Sequence, residues 1–270
     1  MMYLIRDPAA DAGQGADGWQ AAAGPAARLL LTEPIRGLAD LAALTLAAPW
    51  MAAAPRGDGH GALVWPGLLA SDTSTAALRQ FLRWLGYEVR GWDLGRNHGP
   101  TNHVLDGLPR TLRAHAERTG GPVSLVGWSL GGIYAREMAR EYPELVRQVI
   151  TLGSPFAQTH PRQSHAEYPY QRLSHLHAPA ARRVREQIAQ PITVPSTSVY
   201  SRWDGIVSWR TCIEPASELH QNVEVRCSHI GFGVDPATLW LVADRLAAPP
   251  GSRARFRPPL LLRPLYPGRA

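Results

Sequence analysis

Ser129 has the strongest chemical context of any serine in the chain. It stands in Val123-Ser124-Leu125-Val126-Gly127-Trp128-Ser129-Leu130-Gly131-Gly132, where an apolar run passes through Gly-x-Ser-x-Gly and enters a helical pattern with no loop between. Such a turn crowds the backbone. The residues two before and two after the serine, Gly127 and Gly131, must be nearly free of side chain, and the strain lifts the hydroxyl clear of the sheet. Leu130 then offers a backbone N–H at a helix N-terminus, where the dipole favours developing negative charge. The bland alternative is a Gly/Ser turn that only joins a strand to a helix.

An alcohol at its free pKa is a weak nucleophile, so Ser129 needs a base and the base needs an orienting carboxylate, expected downstream in the order serine, acid, histidine. Asp204 follows the strand-like Ser196–Tyr200, and His229 follows the last such run in Cys227-Ser228-His229-Ile230-Gly231. Other acids fit less well. Asp93 lies on an earlier strand, Asp235 reads as the cap of a helix starting at Pro236, and Gly153-Ser154-Pro155 after Val146–Leu152 holds no carboxylate. An Asp-Gly turn and an ordinary loop histidine are the competing readings. A tetrahedral oxyanion needs a second donor, and Trp65-Pro66-Gly67-Leu68-Leu69 supplies one. Gly67 permits a close turn, Leu68 can turn its N–H toward Ser129 while its side chain is apolar enough to line an acyl pocket, and Leu69 and Trp128 are expected to touch the substrate.

Three strand ends must therefore converge, and the rest of the sequence is patterned to make them do so. Short β-branched or apolar runs at Ala62–Trp65, Tyr87–Trp92, Val123–Trp128, Val146–Leu152, Ser196–Tyr200 and Asn222–Arg226 alternate with helical patterns at Thr75–Leu85, Val104–Arg118, Leu130–Tyr142 and Pro236–Leu246. That alternation predicts an α/β fold, a mostly parallel, doubly wound sheet flanked by helices. Phe156–Gln190 breaks the rhythm and reads as a small cap. The expected organisation is an N-terminal arm and amphipathic helix over 1–60, a catalytic domain over 61–248 with the cap at about 156–190, and a Pro/Arg-rich tail over 249–270. The helix, between Pro34 and Pro49, is expected to pack its Leu38, Leu41, Ala42, Leu44 and Leu46 face on the body, with contact to lipid as the alternative. Ala9–Ala27 and the tail read as flexible or extended arms.

At 270 residues and 45% hydrophobic, the chain fits one large globular domain and excludes a disordered chain or a multi-span membrane protein. The net charge of +6 is carried wholly by arginine, and Arg253, Arg255, Arg257, Arg263 and Arg269 crowd into the tail. No basic helix or aromatic-interleaved strip occurs elsewhere, so nucleic acid is set aside as a partner. The start, with Asp7, Asp11 and Asp17, lacks a secretory pattern, and Arg36, Asp40 and Pro49 interrupt the Ala/Leu-rich stretch that follows; a cytoplasmic address is expected. Cys212 and Cys227 are too few and too far apart for a zinc site and read as free thiols, a disulfide being the alternative. His160, His165, His175 and His177 recur without a carboxylate or cysteine at ligand spacing and read as a solvated face. No metal and no cofactor is expected: no G-x-G-x-x-G follows a strand pattern as a dinucleotide site requires, and G-x-x-x-x-G-K does not occur.

These residues together resemble the α/β-hydrolase superfamily, in its lipase/esterase-like branch, over about Gly61–Leu246. The resemblance implies a Ser129–Asp204–His229 triad, an oxyanion hole from the Leu68 and Leu130 amides, and a cap where Phe156–Gln190 sits. Many relatives have His-Gly where this chain has Pro66-Gly67, which leaves the amide but removes a side chain that organises the loop. Gly91–Pro100 is similar to a loop of a bacterial subgroup of lipase-like hydrolases. The expected activity is cleavage of a carboxylic ester, with a small-molecule acyl ester or lipid-like compound as substrate. Thioester hydrolysis or acyl transfer by the same triad is the near alternative, and a non-catalytic protein that binds lipid or a partner is the distant one. Oligomeric state is left open.

Overall fold

The structure, a computed structural model, describes residues 23–181 and 188–267. The expected N-terminal arm as far as residue 22, part of the cap and the last three residues lie outside them. Six strands form one sheet in the order β2-β1-β3-β4-β5-β6: β1 Gly61–Trp65, β2 Glu88–Arg90, β3 Val123–Trp128, β4 Val146–Leu152, β5 Ser196–Ser201 and β6 His220–Val225. Every neighbouring pair is parallel. The chain starts in the middle, moves outward to β2, then returns past β1 to β3. The strand order therefore reverses between β1 and β3, where a crevice opens at the carboxyl ends of the strands.

Alternation along the strands divides the core between the two faces of the sheet. Ala62 and Val64 of β1 join Val126, Ile150 and Val199 under α3 (Ala76–Trp84) and α7 (Pro236–Ala247). Leu63 and Trp65 join Leu125 and Val149 under α4 (Asn102–Thr119) and α5 (Leu130–Glu141). Covered on both faces, β1 is buried along its whole length, and polar side chains in the neighbouring strands, such as Ser124 and Gln148, are taken up by hydrogen bonds. Asp235 does cap α7, its carboxylate accepting from the Thr238 amide at 2.7 Å ahead of Pro236 at the first helical turn. β2 is shorter than the run Tyr87–Trp92 suggested. Past Arg90 the Trp92 and Asp93 amides donate to the Asp72 carboxylate instead of a neighbouring strand, and Asp93 turns to φ 58°.

The largest departures lie outside the sheet. Helix α1 runs from Ala27 to Leu46, starting before Pro34 and carrying that proline inside it, and α2 (Ala48–Ala52) follows. Its packing is the reverse of the expected one. Glu33 and Gly37 are buried against the body, whereas Leu31, Ile35, Leu38, Leu41 and Leu46 face outward, Leu31 and Leu46 more than 80% exposed. Only the far end packs as the apolar pattern implied, through Leu44, Ala47 and Met51. The cause is tertiary: main-chain donors of two loops of the body point at this helix and select its carboxylates rather than its leucines. The tail is likewise docked up to residue 267. Phe256, Leu262 and Tyr266 are buried in the α7 side of the core, and the Tyr266 hydroxyl donates to Ala237 O at 2.8 Å. Three apolar anchors among the Pro and Arg residues are enough to hold it. Cys212 and Cys227 are both free and buried. Among the described residues, no helix is long and apolar enough to cross a membrane and no group of side chains could hold a metal ion.

Candidate active site

The register of the sheet brings the loops together. Trp65 pairs with Gly127, Trp128 with Leu152, Leu152 with Val199 and Ser201 with Val225, so the segments bearing Gly67, Ser129, Asp204 and His229 leave one edge side by side. Ser129 sits between β3 and α5 at φ 53°, ψ −120°, a backbone conformation that a non-glycine residue adopts only under constraint. The constraint comes from the flanking glycines. A Cβ on Gly127 would lie 2.3 Å from Gly132 Cα, and one on Gly131 would lie 2.4 Å from Trp65 O, backbone in both cases. The Ser129 amide donates to Leu152 O at 2.8 Å, which ties the turn to β4.

Asp204 is buried just beyond β5. Its Oδ1 accepts from the Ile206 and Val207 amides at 2.8 and 2.7 Å, which fixes the carboxylate and leaves Oδ2 for His229 Nδ1 at 2.6 Å. With Nδ1–H donating, Nε2 carries the lone pair. The His229 ring meets the edge of Phe232 at 86°, and the Trp128 indole N–H donates to His229 O at 3.1 Å. Burial alone would lower the pKa of His229, but the Asp204 carboxylate, with Glu33 in support, overrides it and raises the value above the ordinary 6.5.

Ser129 opens on two cavities. One, of about 360 Å³, is shared with His229 and lined by Leu30, Leu69, Trp128, Ile206 and Ile230. The other, of about 220 Å³, runs along Leu130, Ile133, Tyr134 and Pro155 to Ala166, Tyr170 and Ile188. Leu68 borders both. Ser129 and His229 thus face a common space, with no hydrogen bond directly joining them among the described residues. Leu69 and Trp128 stand on its wall, Leu130 begins α5, and Gly67 backs directly onto Ser129, where a Cβ would lie 3.1 Å from the Ser129 Cβ. Of the four histidines of the 156–190 segment, His160, His165 and His175 are exposed and His177 is half-buried; His165 borders the His229 cavity, and His177 Nε2 contacts His98 O at 3.2 Å.

Two groups that the sequence reading missed shape the site. Asn97, fully buried, holds the loop of Leu68: its Nδ2 donates to Pro66 O at 3.0 Å, its main-chain oxygen accepts from Leu69 N at 2.7 Å, and its own amide donates to Ala70 O. It organises the loop in which Pro66 takes the place of a histidine. Its signal was the Gly91–Pro100 run, whose role was not apparent. The second group is the pair of α1 carboxylates, Glu33 and Asp40, which contact the loops of Asp204 and His229. One face of the helix carries both acids, but nothing local says that it turns inward.

No protein-family model matches the sequence, and no curated protein matches it. Solved structures do. Lipase B of Aspergillus fumigatus superposes with a TM-score of 0.56 at 16% identity over 72% of this chain, and the match spans 54% of that lipase's length. A metagenome-derived lipolytic enzyme gives 0.54 at 17% identity, covering 71% of this chain and 93% of its own. The monoacylglycerol lipase of Paleococcus ferrophilus gives 0.51 at 15%, covering 72% and 96%. With six parallel strands in this order and helices on both faces, the chain has the α/β-hydrolase fold.

Proposed function

We propose that the protein is a serine hydrolase that cleaves carboxylic esters through an acyl-enzyme on Ser129. The observation that carries the reading is that a backbone-strained serine at a helix N-terminus shares a cavity with a histidine whose other nitrogen is held by a buried carboxylate. In the proposed reaction His229 Nε2 takes the Ser129 proton as Oγ attacks the ester carbonyl. The Leu68 and Leu130 amides hold the oxyanion. The tetrahedral species collapses with transfer of that proton from His229 to the leaving alcohol, and Asp204 stabilises the transient imidazolium. Water, deprotonated by His229, then attacks the acyl-enzyme and releases the acid. No cofactor enters this scheme. The serine–histidine hydrogen bond tightens when substrate is bound.

The leaving oxygen must lie within reach of His229, so the alcohol occupies the 360 Å³ cavity that His229 lines and the acyl chain enters the 220 Å³ cavity beside Ile133 and Tyr134. Leu69 and Trp128 then touch the alcohol portion. A lipid-like substrate suits the outward leucines of α1, because Leu30 of the same helix borders the His229 cavity. Thioester hydrolysis and acyl transfer by the same groups differ only in the bond cleaved or in the nucleophile that resolves the acyl-enzyme.

A fluorophosphonate probe tests the reading. An adduct on Ser129 of the folded protein, together with turnover of an ester panel varied separately in acyl and alcohol portions, supports it. A folded protein that takes no label overturns it in favour of a binding role. Added alcohol acceptors separate a hydrolase from a transferase by product.

A further inference from the structure

Glu33 is 3% exposed, on a helix whose other surface is largely in solvent. A buried carboxylate is costly unless its lone pairs are taken up by donors, and here all the donors come from the catalytic loops or from one arginine. Oε1 accepts from Gly205 N at 2.7 Å, His229 N at 3.1 Å and Arg36 Nη2 at 2.9 Å, and Oε2 accepts from Ile230 N at 3.2 Å. Gly205 is the residue after Asp204, and His229 is the base itself. One carboxylate thus ties the main chain of both halves of the acid–base pair.

The rest of the helix face continues the grip. Arg36 also donates to Trp203 O, on the other side of Asp204. Asp40 Oδ2 accepts from Ser228 N at 3.0 Å and Ser228 Oγ at 2.6 Å, on the other side of His229. Gly37 lies between the two acids, and a Cβ there would come within 2.4 Å of the Ile230 side chain, so helix backbone and loop are in direct contact. The main chain on both sides of Asp204 and of His229 is therefore held from α1.

We infer that Glu33 is a positioning residue: resting on the triad reading above, it sets the approach of the Asp204 and His229 loops and so places Nε2 toward Ser129. A staple that merely added stability could join the loops anywhere along their length. This one bonds the amide of the base and the residue next to the acid, where a small displacement changes the Nδ1–Oδ2 contact directly. Its charge acts on the same ring. The charged groups around His229 are Asp204 and Glu33, with Arg36 balancing Glu33 and Asp40 lying behind Ser228.

The test uses Glu33→Gln in the full chain, with a soluble chromogenic ester and the fluorophosphonate probe. The expected result is a fall in kcat of about 10- to 100-fold with little change in KM, the scale of a catalytic group displaced by about an ångström. The acidic limb of the kcat/KM profile should also move to lower pH, which a loss of stability alone would not produce. A folded Glu33→Gln protein with wild-type kcat and an unmoved limb overturns the inference. Should that variant fail to fold, Asp40→Ala, which releases only Ser228, is expected to lower kcat by several-fold, and wild-type turnover there is equally fatal. Absence of label on wild-type Ser129 sinks the triad reading instead, so the two failures are told apart.

Discussion

Among the described residues a serine, a histidine and an aspartate gather at each end of β3, with the histidine and the acid hydrogen-bonded in both sets and the serine joined to them only in the lower one. Beyond its carboxyl end lie Ser129, His229 and Asp204. At its start Ser124 Oγ contacts His60 Nε2 at 2.8 Å, and His60 Nδ1 in turn contacts Asp58 Oδ1. By connectivity the lower set is the more complete, since its serine and histidine are already joined. It nonetheless lacks what catalysis requires. Ser124 is fully buried within β3, shares its hydroxyl with Gln148 and borders none of the cavities described above, whereas Ser129 is strained, flanked by a helix N-terminus and open to two cavities. The histidines differ as well. For His60 burial prevails and, with the charge of Arg147 added, lowers its pKa despite Asp58; for His229 the carboxylates prevail over burial and raise it. A hydrogen-bonded trio therefore does not by itself mark a reactive serine; on the proposed function, strain, oxyanion donors and access do.

The contrast is most simply broken at the two serines. Ser129→Ala is expected to lower kcat by about 10⁴-fold or more. Ser124→Ala should leave turnover intact but cost about 1–3 kcal/mol in denaturant unfolding, because His60 Nε2 and the Gln148 amide lose a buried partner. Equal loss of activity in both variants would erase the distinction. The acids come next. Asp204→Asn is expected to reduce kcat by about 10³- to 10⁴-fold through the wrong imidazole tautomer. Asp58→Asn, at a half-exposed carboxylate, should cost less than about 1 kcal/mol of stability and no turnover.

The smallest effect is in pH dependence. A base must be neutral, and the His229 pKa is raised, so kcat/KM should climb with pH along a limb centred above about 6.5, and Asp58→Asn should not move it. The signs for stability are opposite. The raised His229 pKa contributes stability below the unfolded value that is lost as pH rises through the folded one. The lowered His60 pKa means that stability declines as pH falls below its unfolded value toward the folded one. A limb that follows Asp58 would assign the chemistry to the wrong end of the strand.

Much of the upper site was legible because its constraints are local. Gly127 and Gly131 declare the turn around Ser129, and Asp204 and His229 each follow a short run marked as a strand by its β-branched residues. The sheet was legible for the same reason, since strands covered on both faces are apolar runs of recognisable length. What escaped was held by distant partners. Glu33 and Asp40 accept main-chain N–H groups, which every residue except proline carries and no sequence pattern marks. Apolar periodicity then gave the wrong inner face for α1, because carboxylates satisfied by buried amides outweighed leucines left in solvent. Asn97 escaped likewise, as its three contacts to the Leu68 loop depend on a crossover that only the fold reveals. Ser124 lies 64 residues from His60, itself two residues after Asp58, and only the parallel pairing of β1 with β3 brings the serine to that pair.

The bonds of Glu33 to Gly205 and His229 span 172 and 196 residues of chain. During synthesis the helix leaves the ribosome first and must remain unpartnered until the last strand has emerged. Its exposed leucines and its uncompensated carboxylates are both liabilities in that interval, and contacts this remote form late in folding. On the proposed function, the acid and the base therefore reach their final placement only as the last event of folding.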